Sequence, residues 1–225
     1  MSTPSLPCRV AISVKSAFTA LMDPTRGDMV AALGETTGLR ALNQLRNRLL
    51  LTKEGRQILK EKPIINSSTI DLNYLSQLPQ DTFGFAYHNF LSTQDVSPDT
   101  RSEIKYIGDP QLAYVMTRYR QIHDFWHTLV DLPITVEAEI GLKYFEYFQT
   151  GLPMNGLAAL FGPVGLQPEQ RKVLMDVYIP WSIQCASSSK FLMQVYYEKM
   201  FESKLDNVIK ELGIVRAPKV ESINE

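Results

Sequence analysis

Cysteine and histidine are scarce in this 225-residue chain: two of the first, three of the second. Cys8 and Cys185 stand far apart, which excludes a disulfide framework and a multi-cysteine zinc site and suits a reducing compartment. No run of 18 or more apolar residues occurs, so no segment reads as a membrane-spanning helix. Charge of one sign is lacking too. Lys plus Arg is 23 and Asp plus Glu 24, a formal net charge of −1, which argues against nucleic acid as a partner held through its phosphates. A Gly-rich phosphate loop and a dinucleotide fingerprint are missing, so a nucleotide cofactor has no support. Period-two alternation, internal repeats, low-complexity tracts and dividing linkers are also absent. What remains, 44% apolar and 21% charged, is the composition of a globular chain long enough for a real core.

The punctuation is helical throughout. Residues 1–9 read as a flexible terminus, and Val10 to Met22 as a helix stopped by Asp23-Pro24. Thr37 to Leu51 places Leu39, Leu42, Leu45 and Leu49 on one face. A short helix follows Thr52 and ends before Pro63, and residues 63–69 form a turn-rich connection. Asp71 and Asp81 are candidate N-caps, the second leading into a short helix from Thr82 to Leu91. Asp109-Pro110 is a strong start signal for a helix running to about Leu129. Leu132-Pro133 turns the chain, and Thr135 caps a helix to about Gln149. Gln167-Pro168-Glu169 opens another helix, which Pro180 interrupts, and a last one runs from about Lys190 to Gly213. Residues 214–225 read as a flexible tail. The expected fold is therefore all-α, a single globular domain over residues 10–213 with roughly eight to ten helices, several short.

Two of the three histidines fall in His123-Asp124-Phe125-Trp126-His127. At about 100° per residue His127 lies about 40° round the helix from His123, and Asp124 about 100°. Two imidazoles one turn apart can share a metal ion. Asp124 can be a ligand, an orienter of His127 or a general base. Glu139 lies in the first turns of the next helix, where an antiparallel return brings a further carboxylate to the imidazoles. The bland alternative is a solvated helix face with an ordinary His–carboxylate pair. His, Asp and Glu donors accept zinc, manganese, iron or magnesium.

These residues resemble a known pattern. The segment Ser97-Pro98-Asp99-Thr100-Arg101, the run Tyr114 to Leu129 and then Glu139 are similar to the Coq-four family of coenzyme Q (ubiquinone) biosynthesis proteins, whose signature is H-D-x-x-H, eleven residues, then E. The likeness continues through Gln149-Thr150-Gly151-Leu152-Pro153-Met154, Phe161-Gly162-Pro163, Ile179-Pro180-Trp181, Tyr196-Tyr197-Glu198 and Glu211-Leu212-Gly213-Ile214. It implies an all-α fold and a divalent metal, usually taken as zinc, on His123, Asp124, His127 and Glu139. It also implies a peripheral place on the membrane where quinones are made, and partners among the other quinone-biosynthesis proteins. The implied ligand is a polyprenylated quinone precursor or a prenyl phosphate. The implied activity is replacement of the C1 carboxyl of a prenylated ring by hydroxyl, with Asp124 as the catalytic carboxylate; the competing role is a lipid-binding scaffold of the biosynthetic complex. A metallohydrolase is a weaker third reading. Residues 1–22 hold no acid, as in a mitochondrial leader, but only Arg9 and Lys15 as bases. That points to a bacterial member on the cytoplasmic face, the alternative being the matrix face of the mitochondrial inner membrane. A homo-oligomer is compatible with all of this.

Gly151 to Leu166 is apolar and too short to span a bilayer. Its bland reading is a core turn. Its functional reading is a lining for the prenyl tail, or a lip at the membrane interface, with Met154, Leu157, Ala158, Leu160 and Phe161 joined by Met116 and Tyr144 along an elongated apolar cavity. Arg120 and Lys143 flank the motif as ion-pair partners of its carboxylates, or as contacts for an anionic head group. Arg118 belongs with them, His88 reads as structural, and Cys185 has no catalytic role.

Overall fold

The computed structural model describes residues 3–23 and 26–220, apart from the side chain of residue 21. Among these, twelve α-helical segments follow one another: α1 (Leu6–Met22), α2 (Gly27–Thr37), α3 (Leu39–Leu50), α4 (Lys53–Glu61), α5 (Leu72–Gln77), α6 (Phe83–Gln94), α7 (Pro110–Val130), α8 (Val136–Thr150), α9 (Pro153–Phe161), α10 (Pro168–Val173), α11 (Ile179–Ser188) and α12 (Leu205–Leu212). The only β pairing among the described residues is one isolated bridge between Thr82 and Lys204. Among the described residues no helix is long and apolar enough to cross a membrane. The fold is the all-α single domain that the periodicity predicts, built on one contiguous core.

α7 is the central post. Asp109 accepts hydrogen bonds from the Gln111 and Leu112 amides at 2.8 and 3.2 Å, and Pro110 supplies a helical φ where no amide is needed. Val115, Met116, Ile122, Phe125, Trp126, Leu129 and Val130 are fully buried. α3 and α6 pack on this post. Leu42, Leu45 and Leu49 of α3 are inside as expected, with Leu39 at the margin. Phe125 joins Phe83, Tyr87, Tyr197 and Phe201 in an aromatic cluster with edge and stacked contacts at centroid distances of 4.5–6.4 Å.

Asp131, left-handed at φ 56°, ends α7, and its amide donates to the His127 carbonyl. After Leu132-Pro133 the chain returns as α8, which ends on Gly151 at φ 66°. α8 lies against α9, α11 and the π-helical turn Leu174–Tyr178. A Cβ on Gly141 would sit 2.7 Å from the Tyr178 Cβ, so only glycine permits this approach. Gly141→Ala is expected to destabilise the protein by about 1–3 kcal/mol through overpacking, read as a lowered thermal midpoint by circular dichroism.

Several boundaries differ from those the sequence suggests. α1 starts at Leu6, inside the segment expected to be loose, because Pro7 suits a first turn. α2 falls where no helix was expected, and it is held by tertiary partners rather than by a cap. Pro24, the expected stop, lies outside the described residues, as do residues 1–2 and 221–225 of the two expected flexible ends. Thr82, not Asp81, caps α6, accepting from the Phe85 amide; Asp81 pairs with Lys204 instead. Pro180 does not interrupt its helix. The π-helical turn absorbs it, and it sits in the first turn of α11. The largest correction is Lys190–Gly213. It holds two 3₁₀ turns, Leu192–Gln194 and Tyr197–Lys199, and becomes α-helical only at α12. Tyr197 and Val195 there serve α7: Trp126 donates to the Tyr197 hydroxyl at 3.0 Å, and Arg118 to the Val195 carbonyl at 3.0 Å. Residues 214–220 are pinned rather than frayed, since the Ala217 amide donates to the Val130 carbonyl and Trp181 donates to that of Val215.

Candidate metal centre

The α7–α8 hairpin brings His123, His127 and Glu139 together. Their potential ligand atoms all lie within 4.8 Å of one another. His127 Nε2 is 2.9 Å from Glu139 Oε1, and His123 Nε2 is 3.8 Å from Glu139 Oε2. Donors about 2 Å from a common ion stand roughly 3.3 Å apart, so these separations suit one shared cation. The other nitrogen of each ring is already committed. His127 Nδ1 meets the Leu132 carbonyl at 3.0 Å, and His123 Nδ1 meets Glu146 Oε1 at 2.7 Å. Both partners accept, so each Nδ1 carries the proton and each Nε2 presents its lone pair toward Glu139. His127 Nε2 is buried without a hydrogen bond, its contact with Glu139 lying off hydrogen-bond geometry. A buried, oriented and unpaired imidazole lone pair beside a second imidazole and a carboxylate is what a divalent ion requires. The residues present therefore fit such an ion, and three protein donors leave positions free for a substrate.

A proton competes with an ion for these rings, and the electrostatics show that competition. Burial pushes the Glu139 carboxyl up, and the two imidazoles more than offset this, holding it well below the usual carboxylate range. Its place in the first turn of α8 adds the helix dipole. Burial and Lys143 push His123 down, while Glu146 and Glu139 outweigh them and leave it raised.

Glu146 is the site residue that the sequence reading missed. It lies two turns beyond Glu139 on α8, fully buried, and bonds His123, the Tyr119 hydroxyl at 2.7 Å and Lys143 Nζ at 2.7 Å. Tyr119 continues to Asn155 Oδ1 at 2.9 Å. The seven-residue step from Glu139 was a visible signal, since it keeps both carboxylates on one helix face. Despite burial, Lys143 and His123 hold its carboxyl at about 2. Glu146→Gln is expected to keep the fold and lower metal affinity about 10–100-fold, as loss of a group orienting a ligand does, measured by competition with a chromogenic chelator. A depressed carboxyl adds stability above its unfolded value near 4.5 and loses it as pH falls through about 2. Chelated wild-type protein should accordingly lose resistance to urea between pH 4.5 and 2, and Glu146→Gln should lack that component.

Asp124 is not among the donors. It is buried and pairs with Arg101, on the loop before α7. At about 100° from His123 its side chain reaches that loop, while the Leu132 carbonyl takes the role of orienting His127. Arg101 is one-third exposed and feels Glu139, and its Nε is buried without a hydrogen-bond partner, an unused donor at the rim. Arg120 is not a head-group contact. Its guanidinium is buried against Glu35 Oε1 at 2.9 Å and the Ala31 carbonyl at 2.9 Å, while Glu35 Oε2 accepts from the Lys105 and Tyr106 amides. This pair ties α2 to the loop that carries Arg101. Arg118 is buried on Glu198. Lys143 keeps some exposure at the rim.

The seven residues expected to line a lipid cavity are dispersed. Met116 and Met154 are core: a Cβ on Gly34 of α2 would meet the Met154 sulfur at 2.2 Å and the Met116 methyl at 3.5 Å. Leu157, Ala158 and Tyr144 are half-buried, and Leu160 and Phe161 are exposed. A cleft of about 400 Å³ that reaches His127 is lined instead by Phe90, Gln94, Thr128, Tyr178, Arg216 and Lys219 among others. Gly162, after α9, lies against Ile140, the residue next to Glu139, and Leu160, Phe161 and Val164 around it are exposed.

The fold and this cluster define a helical protein with a two-histidine, one-carboxylate candidate centre held by an α-hairpin. Residues 5–218 match the model of a family described as coenzyme Q (ubiquinone) biosynthesis protein Coq4. Among similar proteins, the mitochondrial ubiquinone biosynthesis protein COQ4 of Coprinopsis cinerea is 49% identical over 92% of this chain and 71% of its own length. That of Laccaria bicolor is 50% identical over 92% and 70%, and the bovine homologue 45% over 93% and 79%. A Nostoc punctiforme crystal structure superposes with a TM-score of 0.72 at 20% identity, covering 89% of this chain and 96% of that one, a likeness of fold. The chain belongs to the Coq4 family of ubiquinone biosynthesis proteins.

Proposed function

We propose that this protein is a metal-dependent oxidative decarboxylase acting at C1 of a polyprenylated 4-hydroxybenzoate-type ring. The observation that carries the reading is the pair of Nε2 lone pairs, fixed by Glu146 and the Leu132 carbonyl, facing Glu139 beside the cations Arg101 and Lys143. The names of the relatives supply the pathway. Those names read mitochondrial, which supports a mitochondrial place over a bacterial one.

A divalent ion on His123, His127 and Glu139, zinc being the first candidate, supplies positive charge to a bound carboxylate or phenolate. The chain does the rest. Arg101 and Lys143 draw the anionic ring to the rim. Asp124 sets Arg101 in place, Glu146 keeps His123 in one tautomer, and Leu160, Phe161 and Val164 offer the tail an apolar track. In the reaction the C1–carboxyl bond breaks with loss of CO₂. One atom of dioxygen bonds to C1 and the other leaves as water. The ring supplies the four electrons and ends as a quinone, which a separate two-electron, two-proton donor converts to the 1-hydroxyl compound. A hydrolase reading lacks its base, because Asp124, at the position of the glutamate in H-E-x-x-H, is turned onto Arg101.

The test is incubation of metal-loaded protein with oxygen and a prenylated 4-hydroxybenzoate-type acid, with mass spectrometry of ring products and of released CO₂. Conversion supports the enzyme. Tight lipid binding with neither CO₂ nor oxygenated ring leaves the scaffold role.

A further inference from the structure

Near Asp124 lie two hydrogen-bond donors that are buried and, among the described residues, bond to nothing. One is the Tyr87 hydroxyl on α6, the other Arg101 Nε on the loop before α7. Leaving a buried donor unpaired is costly, so two in one place point to an acceptor that comes from outside the chain. Packing sets them together. The Tyr87 ring lies edge-on to Phe125, the residue after Asp124, at a centroid distance of 4.5 Å. Phe90, three residues on along α6, stacks on His127 at 5.3 Å, so this face of α6 runs along the two-histidine motif. Asp124 itself is spent on another donor of the same arginine, Nη2.

The charges give the order of the cluster. Arg101 feels Asp124, Tyr87 and Glu139. The charges that Tyr87 feels are those of Asp124, Arg101 and Asp99. Tyr87 is therefore set behind Arg101 as viewed from Glu139. Burial first, and then Asp124, push the Tyr87 hydroxyl up, so it keeps its proton and has it to donate. Both donor atoms are closed to water in this structure. Arg101, with one-third of its side chain exposed, is the group that must turn to let an acceptor in.

A ring of the 4-hydroxybenzoate type has two polar ends. In the reaction proposed above, the C1 carboxyl end faces His123, His127 and Glu139, and the para oxygen points away from them. We infer that Tyr87 and Arg101 form a subsite for that para oxygen, which accepts from the Tyr87 hydroxyl and from Arg101 Nε. The orientation of the ring rests on that reaction. Tyr87 then distinguishes a ring that carries the para oxygen from one that lacks it.

The test is equilibrium dialysis of the metal-loaded full chain with 3-geranyl-4-hydroxybenzoic acid and with 3-geranylbenzoic acid, which has no para oxygen. Wild type is expected to bind the hydroxy acid about tenfold more tightly. Tyr87→Phe keeps the ring on Phe125 and removes only the donor. It should lose at least about threefold of that preference. It should bind the deoxy acid as wild type does, with circular dichroism and metal content unchanged. Adding Arg101→Lys should bring the two acids to parity. Tyr114→Phe, which removes a hydroxyl that donates to the Pro63 carbonyl, should keep the full preference. Parity in wild type, binding of neither acid, or a preference untouched by Tyr87→Phe overturns the subsite. Dialysis needs no turnover, so the two readings fail separately. A preference lowered by Tyr87→Phe in a protein that releases no CO₂ retains the subsite without the reaction. Release of CO₂ with the preference untouched retains the reaction without the subsite.

Discussion

Replacing His127 by alanine should strip the protein of its divalent ion. The site has three protein donors, and His127 is the one with a buried lone pair and no other partner. Its loss leaves one imidazole and one carboxylate, too few to hold a divalent ion against water. The expected fall in affinity exceeds the roughly hundredfold ceiling for groups that only orient a ligand, so His127→Ala should come out well below Glu146→Gln. Elemental analysis after gel filtration measures it: about one ion per chain in wild type, near none in the variant. His88→Ala, outside the cluster, is the control and should retain the metal. An His127→Ala protein that keeps a full complement would place the ion elsewhere.

Asp124→Asn should cost turnover about 10² to 10⁴, the range for removing a charge that serves the transition state. Metal content should be unchanged, since Asp124 is not a donor. The structure further specifies the route. Asp124 pairs with Arg101; on the proposed reading it acts through that arginine, so Arg101→Gln should match the Asp124→Asn loss, and the double variant should be little worse than either. Steady-state kinetics of the three proteins read this directly. Additive losses would mean that Asp124 acts independently of Arg101, as the general base that the sequence pattern allowed. If wild type shows no turnover, the same variants report on a scaffold and should alter only stability or association with partner proteins.

Much of the helical framework was legible because its signals are local. The Asp109-Pro110 start, the caps Thr52 and Asp71, and the leucines of α3 each depend on residues within one or two turns. The errors share a cause. Lys190–Gly213 has helical composition, yet its backbone is bent into 3₁₀ turns so that Val195, Tyr197 and Glu198 can satisfy Arg118 and Trp126 of α7. α2 has weak helical signals of its own, but Glu35 joins Arg120 and two loop amides, and Gly34 admits Met154. Tertiary partners overrode propensity in both places.

For the site, the sequence by itself pointed to His123, His127 and Glu139, and it added Asp124, which the fold pairs with Arg101 instead. The spacing of His123 and His127 puts two imidazoles on one side of α7, and a turn at Pro133 is enough to return Glu139 to them. These are consequences of helical period and chain length, and no distant contact is needed. Only the tertiary structure decided what each donor is oriented by and what surrounds it. Glu146 and the Leu132 carbonyl select the tautomers, Arg101 arrives from a loop anchored by Glu35, and Arg120 is drawn away to that anchor. A buried charge must find an opposite charge or hydrogen bonds wherever the fold offers them. For that reason the partners of Arg101, Arg118 and Arg120 follow from the packing of segments far apart in the chain, and not from their neighbours in sequence.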